Sequence, residues 1–139
     1  MNDGSIVDLD GSSLPEFGST ITLDLYLALW QRNHLGVLSN SALTSSGGIY
    51  TYDFTDDETR AFGGISGHKE LLPGIWGMIS GDSDGDGMIG SGDKSAQWDN
   101  QAGSSGYLNS DFNLDTQSNN IDKDEFWVPN LGSGSQVPN

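Results

Sequence analysis

The sequence predicts a mostly β N-terminal part, a partial β-sandwich over residues 1–77, followed by two repeated loop–helix units over residues 78–139. Three observations lead to this prediction. Apolar residues alternate along one stretch of the first half, and an acidic pattern occurs twice, in one register, in the second half. Glycine-rich turns separate short apolar runs along the whole chain.

The first half contains four candidate strands. In the longest, residues 21–30, an isoleucine and four leucines occupy alternate positions, which indicates a strand with one buried face. The same spacing would circle a helix instead of forming a stripe. The other candidates are residues 5–9, 49–54 and 71–79, while residues 35–38 continue or follow the long strand. Four short strands do not close a barrel or complete a sandwich comfortably.

The second half is an internal duplication. When the chain is shifted along itself so that Asp82 falls on Asp111, Trp98 falls on Trp127. The same shift pairs Asp86 with Asp115, Asp93 with Asp122, and Lys94 with Lys123. Tryptophan and lysine are scarce in this chain, so their agreement in one register indicates a true repeat.

The first copy, residues 82–93, fits a twelve-residue calcium loop. Side-chain oxygens fall at loop positions 1, 3, 5 and 12, and position 7 offers its backbone carbonyl; these residues are Asp82, Asp84, Asp86, Asp93 and Met88. Gly87 at position 6 allows a sharp turn, and Ile89 at position 8 can pack against the partner loop. Because carboxylates this close repel one another, the spacing favours a bound cation over a solvated acidic turn.

The second copy, residues 111–122, keeps the same ligand positions with Asp111, Asn113, Asp115 and Asp122, and with Gln117 offering its carbonyl. Thr116 replaces the turn glycine, which predicts backbone strain. Ser118 replaces the apolar residue at position 8, and Asn119 at position 9 can add an oxygen. We therefore expect two Ca²⁺ sites, with the weaker affinity in the second.

Each loop should lead into a short helix. The first is predicted from Lys94 to about Gln101, and the second over residues 122–127, where Pro129 stops it. Trp98 and Trp127 occupy equivalent places in the repeats. They could form a paired platform for a sugar or a partner, but equivalence under a repeat favours mutual packing in a shared core.

Composition excludes several functions. There are 20 acidic against 5 basic residues, a net charge of -15, which argues against binding to nucleic acid. Cysteine is absent, so disulfides and thiolate chemistry are excluded. No apolar run has the length of a membrane span, and the first residues lack the pattern of a signal peptide, so we expect a soluble chain, cytosolic or already separated from a targeting signal. No motif for nucleophilic catalysis occurs, and we expect no enzymatic activity.

Two strings resemble a known protein family. The run WQRNHLGVL at residues 30–38 and the ending WVPNLGSGSQVP at residues 127–138 resemble a module near the C-termini of large secreted surface proteins of Bacteroidetes-type bacteria. Residues 52–55 and 81–82 extend the resemblance over nearly the whole chain. Position 12 is an aspartate and no helix precedes the loop, which is similar to the dockerin type of calcium loop. The resemblance implies a β domain with dockerin-like repeats, export to the cell surface or medium, and no catalytic residues. It also implies further strands before residues 6–11, so we expect either a part of a longer sandwich or a sheet completed by another chain or a neighbouring domain.

We therefore predict an extracellular structural or interaction module stabilised by Ca²⁺. One alternative is a subunit of a cell-surface filament or assembly, in which a partner completes the sheet by strand addition. Another is a carbohydrate-binding module that uses exposed aromatics such as Trp30 or Trp76.

Overall fold

The computed structural model describes residues 7–138. Its strands form three separate antiparallel pairs. Strand β1 (Ala28–Gln31) pairs with β2 (His34–Leu38), β3 (Thr44–Ser46) with β4 (Ile49–Thr51), and β5 (Lys69–Leu72) with β6 (Ile75–Gly77). One 3-10 turn, Gly64–Ser66, precedes β5.

The strands of the described residues form no closed sheet and no sandwich. The long strand predicted over residues 21–30 is wrong for most of its length, since regular pairing begins only at Ala28. Residues before β1 meet isolated partners instead of a continuous strand: the Leu25 and Leu27 carbonyls accept hydrogen bonds from the amides of Leu43 and Ser39. Leu23 is 83% exposed. The strand predicted over residues 5–9 lies partly outside the described residues, and residues 7–9 are not paired.

Two short helices follow the two loops, as predicted. Helix α1 (residues 93–101) consists of a π-helical segment, Asp93–Trp98, and an α-helical turn, Asp99–Gln101. Helix α2 (residues 122–130) repeats this order with Asp122–Trp127 and Val128–Asn130. Both helices are therefore widened at the same place in the repeat.

The predicted stop at Pro129 is wrong. Val128 keeps helical angles, φ -57° and ψ -47°, and the chain leaves the helix only at Leu131, where ψ is 130°. Proline disfavours a helical residue before it but has a helical φ itself and lacks only an N–H donor. In the last turn of a short helix, that single missing donor does not end the helix.

One apolar core joins the two halves of the chain. Its buried members are Leu35 from β2, Ile79 before the first loop, Ile89 and Phe112 from the two loops, and Trp127 from α2. Ile89 lies in this core as its loop position predicts. The core spans the predicted boundary between residues 77 and 78, so the β hairpin and the repeats stabilise each other.

The turn between β1 and β2 fixes the hairpin on both loops. Asn33 is fully buried there. Its carbonyl accepts the Gly81 amide at 3.0 Å, and its Nδ2 donates to the Asp111 carbonyl at 2.6 Å. A single side chain and its backbone thus connect the start of one loop to the start of the other.

His34, the next residue, should make stability depend on pH. Burial, with a smaller contribution from Arg32, lowers the pKa of its imidazole from 6.5 to about 4. Because the unfolded chain binds the proton more readily, this contribution to stability is complete above pH 6.5 and falls by about 1.4 kcal/mol per pH unit down to pH 4. We expect His34→Gln to flatten urea-unfolding free energies between pH 6.5 and 5. An NMR titration placing the imidazole pKa near 6.5 would contradict this.

Candidate metal centre

The first loop brings three of its predicted ligands together. Carboxylate oxygens of Asp82, Asp84 and Asp86 all lie within 4.8 Å of one another. Backbone hydrogen bonds curl the loop around Asp82, whose Oδ1 accepts the Gly85 amide at 3.0 Å and whose Oδ2 accepts the Gly87 amide at 3.1 Å. Each carboxylate at positions 3 and 5 also accepts the amide of the next residue but one.

Asp93, the predicted ligand at position 12, closes the loop. Its buried carboxylate accepts three backbone amides: Ser83 at 2.7 Å and Asp84 at 3.2 Å on Oδ1, and Gly90 at 2.7 Å on Oδ2. It is not a member of the cluster of three. Each carboxylate oxygen has two lone pairs, so Oδ2 retains capacity for one more partner.

The second loop repeats most of these contacts. Asp111 accepts the backbone amides of Asp115 and Thr116, both at 3.0 Å, so one of its two partners is shifted by one loop position compared with those of Asp82. Asp122 accepts the amides of Phe112 at 2.8 Å, Asn113 at 3.2 Å and Asn119 at 2.8 Å, the same loop positions that Asp93 serves. Asn113 and Asp115 are also in contact, since the side-chain Nδ2 of Asn113 donates to Asp115 Oδ2 at 3.0 Å. The sequence repeat is therefore also a repeat of geometry.

Asn119 has a different use from the one expected. Its Oδ1 accepts the Ile121 amide at 2.7 Å, at the start of α2. This contact satisfies a backbone donor at the helix start, in the manner of an N-cap. The side chain thus serves the helix that follows the loop.

Position 7 of each loop is held in extended backbone. Met88 forms an antiparallel bridge with Gly134, and Gln117 forms the equivalent bridge with Ser105. The bridging segments, residues 132–135 and 103–106, are those that leave α2 and α1. The exit of α2 therefore pairs with the first loop, and the exit of α1 with the second.

The two tryptophans likewise contact the loop of the other repeat. Trp98 of α1 donates from Nε1 to the Asn119 carbonyl of the second loop at 2.9 Å, and Trp127 of α2 donates to the Gly90 carbonyl of the first loop at 3.1 Å. Trp127 is buried, and Trp98 packs partly buried against the same core. The predicted packing role is confirmed. The sequence did not show that each tryptophan contacts the loop of the other repeat, because residue spacing alone does not tell which loop a helix contacts.

Left-handed backbone occurs at positions 4 and 6 of both loops. Gly85 and Gly87 take φ values of 74° and 86°, whereas Leu114 and Thr116 take 62° and 74°. The predicted strain at Thr116 is confirmed, since a β-branched residue there is unfavourable. Leu114 was missed, although the glycine at the matching place in the first copy was a usable signal.

Exchanging the position-6 residues should change stability in opposite directions. Thr116→Gly relieves the strained angle and should stabilise the fold by about 1–2 kcal/mol, whereas Gly87→Thr should destabilise it by a similar amount. A Cβ at Gly87 would meet only Ser135, at 3.9 Å, so crowding does not obscure the backbone effect. Denaturant unfolding in EGTA measures both, and effects of the same sign would contradict the assignment.

Burial and mutual repulsion act on the first loop. Burial, with repulsion from Asp93 and Asp86, raises the pKa of Asp82, and burial followed by repulsion from Asp93 raises that of Asp84. Keeping these groups ionised therefore costs free energy that a cation would offset. The three clustered carboxylates of the first loop supply hard oxygen ligands, the kind that Ca²⁺ takes, and could hold a metal ion.

The two tryptophans considered for glycan contact differ in accessibility. Trp30 is 69% exposed and lines a groove of about 560 Å³ between the β1–β2 hairpin, the first loop and the C-terminal segment. Trp76 is partly buried, with its ring 4.8 Å from that of His68. Of the two side chains, Trp30 is the one that is largely accessible to solvent.

Comparisons of the chain with protein-family models, with curated proteins and with solved structures give no match. Among residues 7–138, no helix has the length and apolar character that crossing a bilayer requires.

Proposed function

We propose that the protein is a non-enzymatic, extracellular structural or interaction module in which two dockerin-like loops bind Ca²⁺ and stabilise the fold. The observation that carries the proposal is the cluster of Asp82, Asp84 and Asp86, set in a loop most of whose hydrogen bonds recur in the second copy. Three carboxylates held this close repel one another, and a cation between them would offset that repulsion. The chain has no disulfide to stabilise it, and a metal would serve that purpose.

Calcium should raise the thermal stability. If the ion binds only the folded state, a free concentration of a hundred times its Kd adds about 2.7 kcal/mol per site to the free energy of unfolding. We expect the melting temperature to rise by at least about 5 °C in calcium compared with EGTA. Magnesium at the same concentration is the control, and a midpoint that does not change with EGTA would refute the proposal.

In calorimetry, Asp86→Ala should weaken calcium binding more than Asp115→Ala.

The proposed location outside the cell rests on the resemblance to secreted surface modules at residues 30–38 and 127–138. Extracellular calcium, at millimolar levels, would load even the weaker class of such sites. Detecting the protein in the medium or on intact cells by antibody would test the location.

A second candidate function is a subunit of a surface assembly. Each strand pair in the described residues remains two-stranded, and Leu23, Tyr26 and Trp30 expose large apolar surfaces in or next to β1. A strand from a partner or neighbouring domain could cover this region. Light scattering after size exclusion would decide, because a stable monodisperse monomer argues against obligatory completion.

A third candidate is glycan binding, favoured by the exposed Trp30 in its groove. Aromatic rings bind the apolar faces of sugars by stacking. Tryptophan fluorescence that changes on adding polysaccharide in the natural protein, but not in Trp30→Ala, would support it.

A further inference from the structure

Arg32 lies against the second loop and is fixed there on three sides. Its Nε donates to the Leu108 carbonyl at 3.0 Å, and its guanidinium carbon lies 3.8 Å from the centre of the Tyr107 ring. Its Nη2 is 3.7 Å from Asp111 Oδ2, with side-chain exposures of 16% and 2% for the two residues. A guanidinium held this way keeps its charge beside position 1 of the loop.

The first loop has no such neighbour. In the part of the chain that the structure describes, no lysine, arginine or histidine nitrogen lies within 4.0 Å of a carboxylate oxygen of Asp82, Asp84 or Asp86. The two loops also differ in composition, because the first has four carboxylates while the second has three and Asn113. Calcium affinity in such loops depends on the number of ligand charges. The guanidinium thus adds a positive charge beside the loop that already has fewer carboxylates.

We propose that Arg32 reduces the calcium affinity of the second loop, so that the first loop fills at lower calcium than the second. This inference rests on the proposed calcium function. The positive charge near Asp111 offsets part of the attraction that the loop exerts on a cation. Because the pair is largely shielded from solvent, salt screens it less than a surface pair.

Charge and backbone strain act on the second loop in different ways. Leu114 and Thr116 also make the second loop less favourable, but their effect is independent of ionic strength. An effect of Arg32 on affinity should be electrostatic, so it should persist when lysine takes its place, disappear with an uncharged residue, and weaken with added salt.

The test is calorimetry with Ca²⁺ in an Asp86→Ala background, in which the first loop is disabled and the isotherm reports the second. We expect Arg32→Gln to tighten binding about 3- to 10-fold and Arg32→Lys to change it less than 2-fold, with the gain shrinking as salt is raised from low to high concentration. If Arg32 only packed against the second loop, its replacement would weaken calcium binding instead. Arg32→Met, which keeps the aliphatic stem over Tyr107, replaces the glutamine variant if circular dichroism shows that the latter does not fold.

The outcomes are distinguishable. If the unmodified protein binds no Ca²⁺ at either loop, the proposed function fails. If it binds Ca²⁺ but the uncharged variants bind equally or more weakly at the second loop, or show no binding there up to millimolar calcium, the role of Arg32 is refuted while the calcium function stands.

Discussion

Asp93→Ala is expected to destabilise the fold by more than about 3 kcal/mol even when no calcium is present, because a buried donor left without a partner costs about 1–3 kcal/mol. The carboxylate is 1% exposed and accepts three backbone amides, from Ser83, Asp84 and Gly90. Urea unfolding in EGTA measures the effect.

The matched control is Asp86→Ala. That carboxylate is exposed and accepts only the Met88 amide, at 2.8 Å. In EGTA its loss should cost under about 1 kcal/mol, whereas in calcium it should remove the stabilisation due to the first site. Equal losses for the two variants in EGTA would show that Asp93 does not stabilise the loop backbone.

Asp122→Ala should behave like Asp93→Ala, because it leaves the amides of Phe112, Asn113 and Asn119 without their acceptor. Asparagine at either place retains one acceptor oxygen and should restore part of the loss. Without metal, we expect the free energy of unfolding to rise from alanine through asparagine to aspartate. Because no ion is present, this order reports only the hydrogen bonds that close the loop and not the binding of a metal.

Phe112→Ala should cost about 3–5 kcal/mol, the range for removing a large side chain from a packed core. Phe112 is 1% exposed and packs with Leu35, Ile79, Ile89 and Trp127. The cavity would open where the hairpin, the first loop and α2 meet. Loss of near-ultraviolet circular dichroism and a lower urea midpoint would report it.

Phe112→Leu, which fills most of the same volume, should cost about 1 kcal/mol or slightly more. The exposed Phe62 provides the control, since Phe62→Ala should change stability by less than about 1 kcal/mol. If Phe112→Ala behaved like Phe62→Ala, the two halves of the chain would not share one core.

The loops were predictable because their signal is local. Ligand spacing and turn glycines lie within a single loop, and the repeat offset links two neighbouring segments. The strands were less predictable. Alternation over residues 21–30 indicates that one face can be buried but does not show that a partner strand exists. Only the part that meets β2 became regular structure.

Substitutions between the repeats also depend on tertiary packing. Ser118 replaces an apolar residue, which suggests a weaker second loop in isolation. In the fold its Oγ accepts a hydrogen bond from Ser110 at 2.7 Å, and the apolar contribution of that loop comes from Phe112 at position 2. Position 2 of the first loop is Ser83, whose hydroxyl donates to the Asp93 carbonyl. The copies have thus divided core and polar roles between them, and no local pattern reveals this division.

The exchange between helix exits and loops has a consequence for how such a chain could arise. A single repeat would have a loop without its pairing segment and an indole without its carbonyl, because both come from the other copy. Two identical copies, however, would complete each other about a two-fold axis. The present pair therefore has the arrangement expected of a symmetric dimer whose two subunits lie in one chain.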